Sequence, residues 1–151
     1  MIRQADISVF SPDDKLQLIV EVKNKQGASP DWAANMRRNL FVHSVVPTTP
    51  FFLLALPDRF YLWKNANPVE VVPPDYEIDP RPILRAYTDT HEHYLDKLSG
   101  YGLELIINSW LNDLLNTNLT GETAEPYEKW LFDSGLYDAI QHGSVRTEAT
   151  V

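Results

Sequence analysis

The stretch Leu16-Gln17-Leu18-Ile19-Val20-Glu21-Val22-Lys23 is a run of apolar and β-branched side chains that closes on an acid and a base two positions apart. Such a run favours a strand. Just upstream, Ala5-Asp6-Ile7-Ser8-Val9-Phe10 alternates and predicts a second strand. The cluster Ser11-Pro12-Asp13-Asp14-Lys15 between them has turn chemistry. Apolar faces pair in a hairpin, which sets Val9 against Leu18 and Ile7 against Val20. The same register sets Asp6 against Glu21, with Lys23 on the face of Glu21.

Two like charges placed opposite each other on a sheet repel. A divalent cation removes that penalty, because two carboxylates at this spacing can share a hard, oxygen-seeking ion such as Mg²⁺ or Mn²⁺. Lys23 then stands beside a bound water or a phosphate, where it can orient a nucleophile or offset developing charge. The chemistry suited to such a site is attack of water on a phosphodiester.

Downstream, Ser29 is the expected N-cap of a helix with Pro30 in its first position and Asp31 in its first turn. It is expected to run to about Val45, short of Pro47 and Pro50. Phe51 to Leu56 is an apolar run suited to a buried strand, and Arg59 to Lys64 alternates as its neighbour. Prolines at 68, 73, 74 and 80, with 82 just beyond, predict an extended connector over 65–80. Helical segments are expected over 81–98, 101–117 and 124–141, then a flexible tail over 143–151. The expected class is α/β: a sheet of about four strands in a β-β-α-β-β core over 1–64, covered by helices, with a C-terminal helical extension over 81–142 packed on it.

Asp6, the strand ending Glu21-Val22-Lys23, and the helix bearing Asn35-Met36-Arg37-Arg38 resemble the PD-(D/E)xK nuclease superfamily, with its restriction-endonuclease-like fold. The resemblance is to the nuclease segment of type I restriction motor subunits and their relatives, over about residues 4–64. The resemblance implies that Asp6 and Glu21 ligate Mg²⁺ or Mn²⁺, that the Val22 carbonyl adds a ligand, and that Lys23 is the catalytic lysine. It implies nucleic-acid contacts from Asn35, Arg37 and Arg38, although many relatives carry a Gln where this chain has Asn35. It also implies a helix before the first strand, often bearing a Glu. A late start, a partner, or a C-terminal helix carrying Glu104 would each account for that helix. The expected activity is metal-dependent endonuclease or exonuclease cleavage of nucleic acid, with DNA as substrate. The alternative is a catalytically silent interaction module within a larger restriction, defence or repair complex.

The charge of the 151-residue chain, −8, is unevenly spread. Residues 1–64 hold eight Lys/Arg and six Asp/Glu, a net +2, whereas residues 65–151 hold five and fifteen, a net −10. Polyanion binding therefore falls to the first half, and is expected to be weak and salt-dependent. The acidic helical half suits a protein partner or a homodimer contact. With no cysteine, thiolate metal sites and cysteine nucleophiles are excluded. No apolar run reaches the roughly 18 residues of a membrane span, and no signal-peptide pattern opens the sequence, so a cytoplasmic setting is expected. His91-Glu92-His93 is expected to be a solvated helix end, since residues two apart do not share a helical face. Trp32, Phe41, Phe51, Phe52 and Trp63 are expected in the core rather than as base-stacking platforms.

Overall fold

The computed structural model describes residues 5–43, 46–88 and 99–147. The chain runs β1 (Ile7–Phe10), β2 (Leu16–Val22), α1 (Pro30–His43), β3 (Phe51–Ala55), β4 (Phe60–Lys64), β5 (Tyr76–Ile78), α2 (Arg81–Leu84), α3 (Gly100–Leu115), α4 (Lys129–Asp133), α5 (Leu136–Ile140) and β6 (Ser144–Thr147). The fold is α/β, with a mixed six-stranded sheet in the order β5-β4-β3-β2-β1-β6. Four strands were expected; β5 and β6 extend the two edges.

The β1–β2 pair has the register that alternation dictates, with Ile7 opposite Val20 and Val9 opposite Leu18. An irregularity follows at Phe10, which faces Leu16. In the turn, the Ser11 amide donates to the Lys15 carbonyl (2.8 Å) and the Asp14 amide to the Ser11 carbonyl (2.9 Å). β2 and β3 are parallel, joined across the sheet by α1. The helix begins where the Ser29 hydroxyl accepts from the Trp32 amide (3.1 Å), relieving one of the amides a helix start leaves unpaired.

Both faces of the sheet are covered, which is why every residue of β3 is buried and apolar. One face presents Ile19, Phe52, Leu54, Tyr61 and Trp63 to Ala33, Ala34 and Leu40 of α1. The other presents Ile7, Val20, Leu53 and Leu62 to α3, α4 and α5 through residues such as Ile107, Trp110, Leu131 and Tyr137. Each large side chain buried this way contributes about 1.5–3 kcal/mol.

Four segments depart from the expected elements. The 65–80 connector contains β5, because the proline-free stretch Tyr76–Ile78 pairs with Phe60–Leu62. The 143–151 segment is not all tail, since Ser144–Thr147 pairs antiparallel with β1. The helix expected over 124–141 is a turn at Pro126–Glu128 followed by α4 and α5. Gly135, with φ of 83°, breaks it in the left-handed region that glycine adopts without a Cβ clash. In the segment expected as a helix over 81–98, α2 gives way to a tight turn over Arg85–Tyr87. His91-Glu92-His93 and the rest of that segment past 88 lie outside the described residues, as do positions 44, 45 and 148–151.

Candidate active site

The site forms where β2 ends. Glu21 lies between Val20 and Val22, which face the α3 side, so its side chain falls on the α1 side of the sheet. It is 1% exposed. The Lys23 ammonium, on a side chain 34% exposed, stands 3.6 Å from the Glu21 carboxylate. Extending the β1–β2 register by one residue brings Asp6 to Glu21. The Asp6 carboxylate is fixed against β2 by accepting from the Val22 amide at 2.8 Å. The Lys23 amide donates to the Ala55 carbonyl (3.1 Å), so the backbone under the lysine is held by β3. Asp6, Glu21, Val22 and Lys23 are thus gathered on two adjacent strands.

The loop after Lys23 is tethered from below. Gly27, with φ of 71°, donates its amide to Asp58 at 2.9 Å. The Tyr61 hydroxyl donates to the Ala28 carbonyl at 2.7 Å. Burial pushes the Tyr61 phenol above its ordinary pKa, with Glu77 adding to the shift, so it remains a donor. Lys25 lies over the Trp32 ring, 5.2 Å from its centroid. These tethers were not anticipated from the sequence. Asp58 has only its place in a Pro-Asp turn to signal it, and Tyr61 is one aromatic residue among several in β4.

The helix α1 does not deliver its expected contacts evenly. Asn35 is exposed, and its amide group donates to the Asp31 carbonyl of its own helix at 2.9 Å. Arg38 is half-buried at the surface, within 3.5 Å of Asn39. Arg37 needs correction. It is 2% exposed, and one guanidinium nitrogen donates to the Ala66 and Asn67 carbonyls, both at 3.0 Å. Its charge lies 5.2 Å from the Phe41 ring centroid and 5.7 Å from that of Trp63. A guanidinium enclosed in this way ties α1 to the 66–70 loop and is closed to a phosphate. Phe51, Phe52 and Trp63 are buried, and Trp32 and Phe41 pack partly buried against the α1-side core.

A divalent metal has limited support within the chain. Asp6 and Glu21 are two oxygen donors, and Mg²⁺ is often held by one or two carboxylates with water and substrate phosphate completing its shell. The donor type therefore fits. Among the described residues no third carboxylate or imidazole joins them. Glu104 is on α3, a C-terminal helix packed on the face opposite α1. That helix starts beside β2: a Cβ built on Gly100 would lie 3.8 Å from that of Asn24. Its cap is complete, the Ser99 hydroxyl accepting from the Gly102 amide at 3.0 Å.

No known family model, curated protein or solved structure matches the chain.

Proposed function

We propose that the chain is a Mg²⁺- or Mn²⁺-dependent nuclease that hydrolyses phosphodiester bonds in nucleic acid, with DNA as its substrate, on a restriction-endonuclease-like core. One observation carries this reading. Asp6 and Glu21-Val22-Lys23 converge on adjacent strands, with the lysine ammonium 3.6 Å from a carboxylate that is 1% exposed. Keeping a carboxylate at that depth is costly without compensating charge, so a purely structural role would be better served by an apolar residue.

Asp6 and Glu21 would hold the metal, with the Val22 carbonyl as a further oxygen donor. When bound, the ion would lower the pKa of a water and polarise the phosphoryl oxygen. Lys23 holds positive charge at the surface end of the site, where it can orient the scissile phosphate and offset charge as the bond breaks. Arg38 remains a candidate for phosphate contact and Asn35 a weaker one, whereas Arg37 leaves that role. The cytoplasm is the proposed setting. Among the described residues no helix is long and apolar enough to cross a membrane.

A second reading rests on the charge of residues 65–151, five Lys/Arg against fifteen Asp/Glu. In it the same fold is a silent module whose acidic half docks on a protein partner or a second copy. The two separate in one experiment. Supercoiled plasmid and end-labelled single-stranded DNA are incubated with Mn²⁺ and either wild type or Lys23→Ala. Cleavage by wild type that the substitution abolishes supports the nuclease. Calorimetric titration of Mn²⁺ that is unchanged by Asp6→Ala overturns the site. Metal binding lost in Asp6→Ala, but with no cleavage by wild type, favours the silent module.

A further inference from the structure

We infer that the form of nucleic acid taken by this site is single-stranded DNA, with an unpaired base stacking on Trp32 beside Lys23 and Lys25. The inference rests on the nuclease reading, whose substrate class it narrows. The chain has four tryptophans. Trp63, Trp110 and Trp130 are buried, whereas Trp32 is half-buried. Trp32 packs in part against the α1-side core. Over its ring stands the Lys25 ammonium, 5.2 Å from the centroid. Lys25 is itself exposed, so the cover on that face is a flexible, solvent-facing side chain rather than the core.

Chain connectivity puts this ring next to the candidate chemistry. Lys25 is two residues past Lys23, so one short loop carries both the proposed catalytic lysine and the cation on the ring. From Lys23 to Pro30 that loop holds two lysines and no acid. Trp32 is in the first turn of α1, where its amide donates to the Ser29 hydroxyl at 3.1 Å. The loop is pinned by the Gly27 amide on Asp58 (2.9 Å) and by the Tyr61 hydroxyl on the Ala28 carbonyl (2.7 Å). Trp32 packs on the α1 side, the same face of the sheet as Glu21. A lysine over a ring at an exposed site is a weak contact. A nucleotide offers each group a stronger partner: the base takes the ring face, and Lys25 turns to the phosphate. A duplex cannot do this, because its bases are already paired and stacked on one another. Net charge points the same way. At −8 the chain gains little hold on a duplex from phosphate contacts, whereas stacking adds affinity that needs no positive charge.

Binding is measured in EDTA, so neither metal nor cleavage is required. A short oligothymidylate is titrated into the protein while tryptophan emission is followed. Because the other three tryptophans are buried, quenching reports on Trp32. The expected result is saturable quenching, with the single strand bound at least about tenfold tighter than a duplex of the same length. Trp32→Leu keeps an apolar side chain against the core. It is expected to abolish the quenching and to weaken the single strand about tenfold by anisotropy, the loss of one stacked base, with duplex affinity unchanged. Saturable binding without quenching, a duplex that quenches as strongly, equal loss of both affinities in Trp32→Leu, or no binding of the oligonucleotide overturns the inference. Plasmid cleavage by wild type alongside any of those results leaves the nuclease reading standing without it. Quenching that Trp32→Leu abolishes, in a protein that neither binds Mn²⁺ nor cuts, leaves the stacking site standing without the nuclease.

Discussion

Lys23 and Glu21 form one ion pair, but their burial differs so much that substitution separates chemistry from stability. The lysine side chain is 34% exposed and the glutamate 1%. Partly exposed pairs contribute little, so Lys23→Ala should cost no more than about 1 kcal/mol in urea unfolding while lowering cleavage by at least about 100-fold. Equal losses of both would make the lysine structural. The neighbouring arginines make an opposite comparison. Arg37→Met strips donors from the Ala66 and Asn67 carbonyls and should cost about 3 kcal/mol, with DNA affinity per folded molecule unchanged. Arg38→Met should leave stability within about 0.5 kcal/mol and weaken DNA binding. Filter binding and denaturant melts on both variants test this, and a reversed pattern would put Arg37 back among the phosphate contacts. The convergence of Asp6, Glu21 and Lys23 is legible in the sequence because a strand has period two, so Ile7 and Val9 can pair with Val20 and Leu18 in only one way that buries both apolar sets. The role of Arg37 is not. Its acceptors are backbone carbonyls about thirty positions away in a proline-bearing loop, and the adjacent Arg-Arg pair carries no mark of which member turns inward.

Among the elements, β6 is the least conspicuous in sequence and among the most constrained in space. Ser144–Thr147 alternates exposed and half-buried residues, so apolar periodicity cannot reveal it. Its position depends on backbone fit at Gly143, where an added Cβ would collide with the Phe10 carbonyl and lie 2.9 Å from that of Ile140. Gly143→Ala should therefore separate β6 from β1 and cost more than about 3 kcal/mol. Hydrogen exchange should report the loss of protection at Ile7 to Phe10 first, and unchanged protection there would mean that β6 adds nothing to the hairpin. The strand β5 is hidden for another reason: three residues among prolines are too few to display a period. The break between α4 and α5 does have a sequence signal, Gly135, but one glycine inside an apolar helical pattern is ambiguous until its φ is known. A pH-sensitive clamp joins the turn after α2 to α3, where the Tyr87 hydroxyl donates to Asp113 at 2.5 Å. Burial, reinforced by that carboxylate, raises the phenol well above its ordinary value of 10.0. The folded chain favours the neutral phenol, so the clamp is intact below about pH 10 and its contribution is lost as pH rises further. Tyr87→Phe should lower the melting temperature slightly at pH 7 and flatten its alkaline decline. An alkaline limb with unchanged slope would show that Tyr87 does not govern it.

For the molecule as a whole, charge determines how a nucleic acid can approach. The net charge is −8, and residues 65–151 account for more than all of it. Those residues supply α3, α4 and α5, which cover the sheet face opposite α1. Glu21 and Lys23 are on the α1 side, so the mildly basic half carries the candidate site and the acidic helices back the other face. A polyanion would then be steered to one side of the molecule and repelled from the other, with few cations to hold it. Lys23 and Lys25 stand at the end of β2. Arg59 belongs to the turn tethered to that loop through Asp58. Each phosphate neutralised on duplex DNA adds about −0.9 to the slope of log affinity against log salt, so these cations together with Arg38 predict a slope of about −3.6. Lys25→Ala should reduce its magnitude by about one while leaving the sequence preference unaltered. Fluorescence anisotropy on a short duplex between 20 and 200 mM salt, concentrations of about the range over which such slopes are resolved, measures both. A slope near zero would mean that DNA does not dock at the end of β2. The Glu21–Lys23 pair would then need a substrate other than a polyanion, and the acidic helical face would become the surface through which this fold meets its partners.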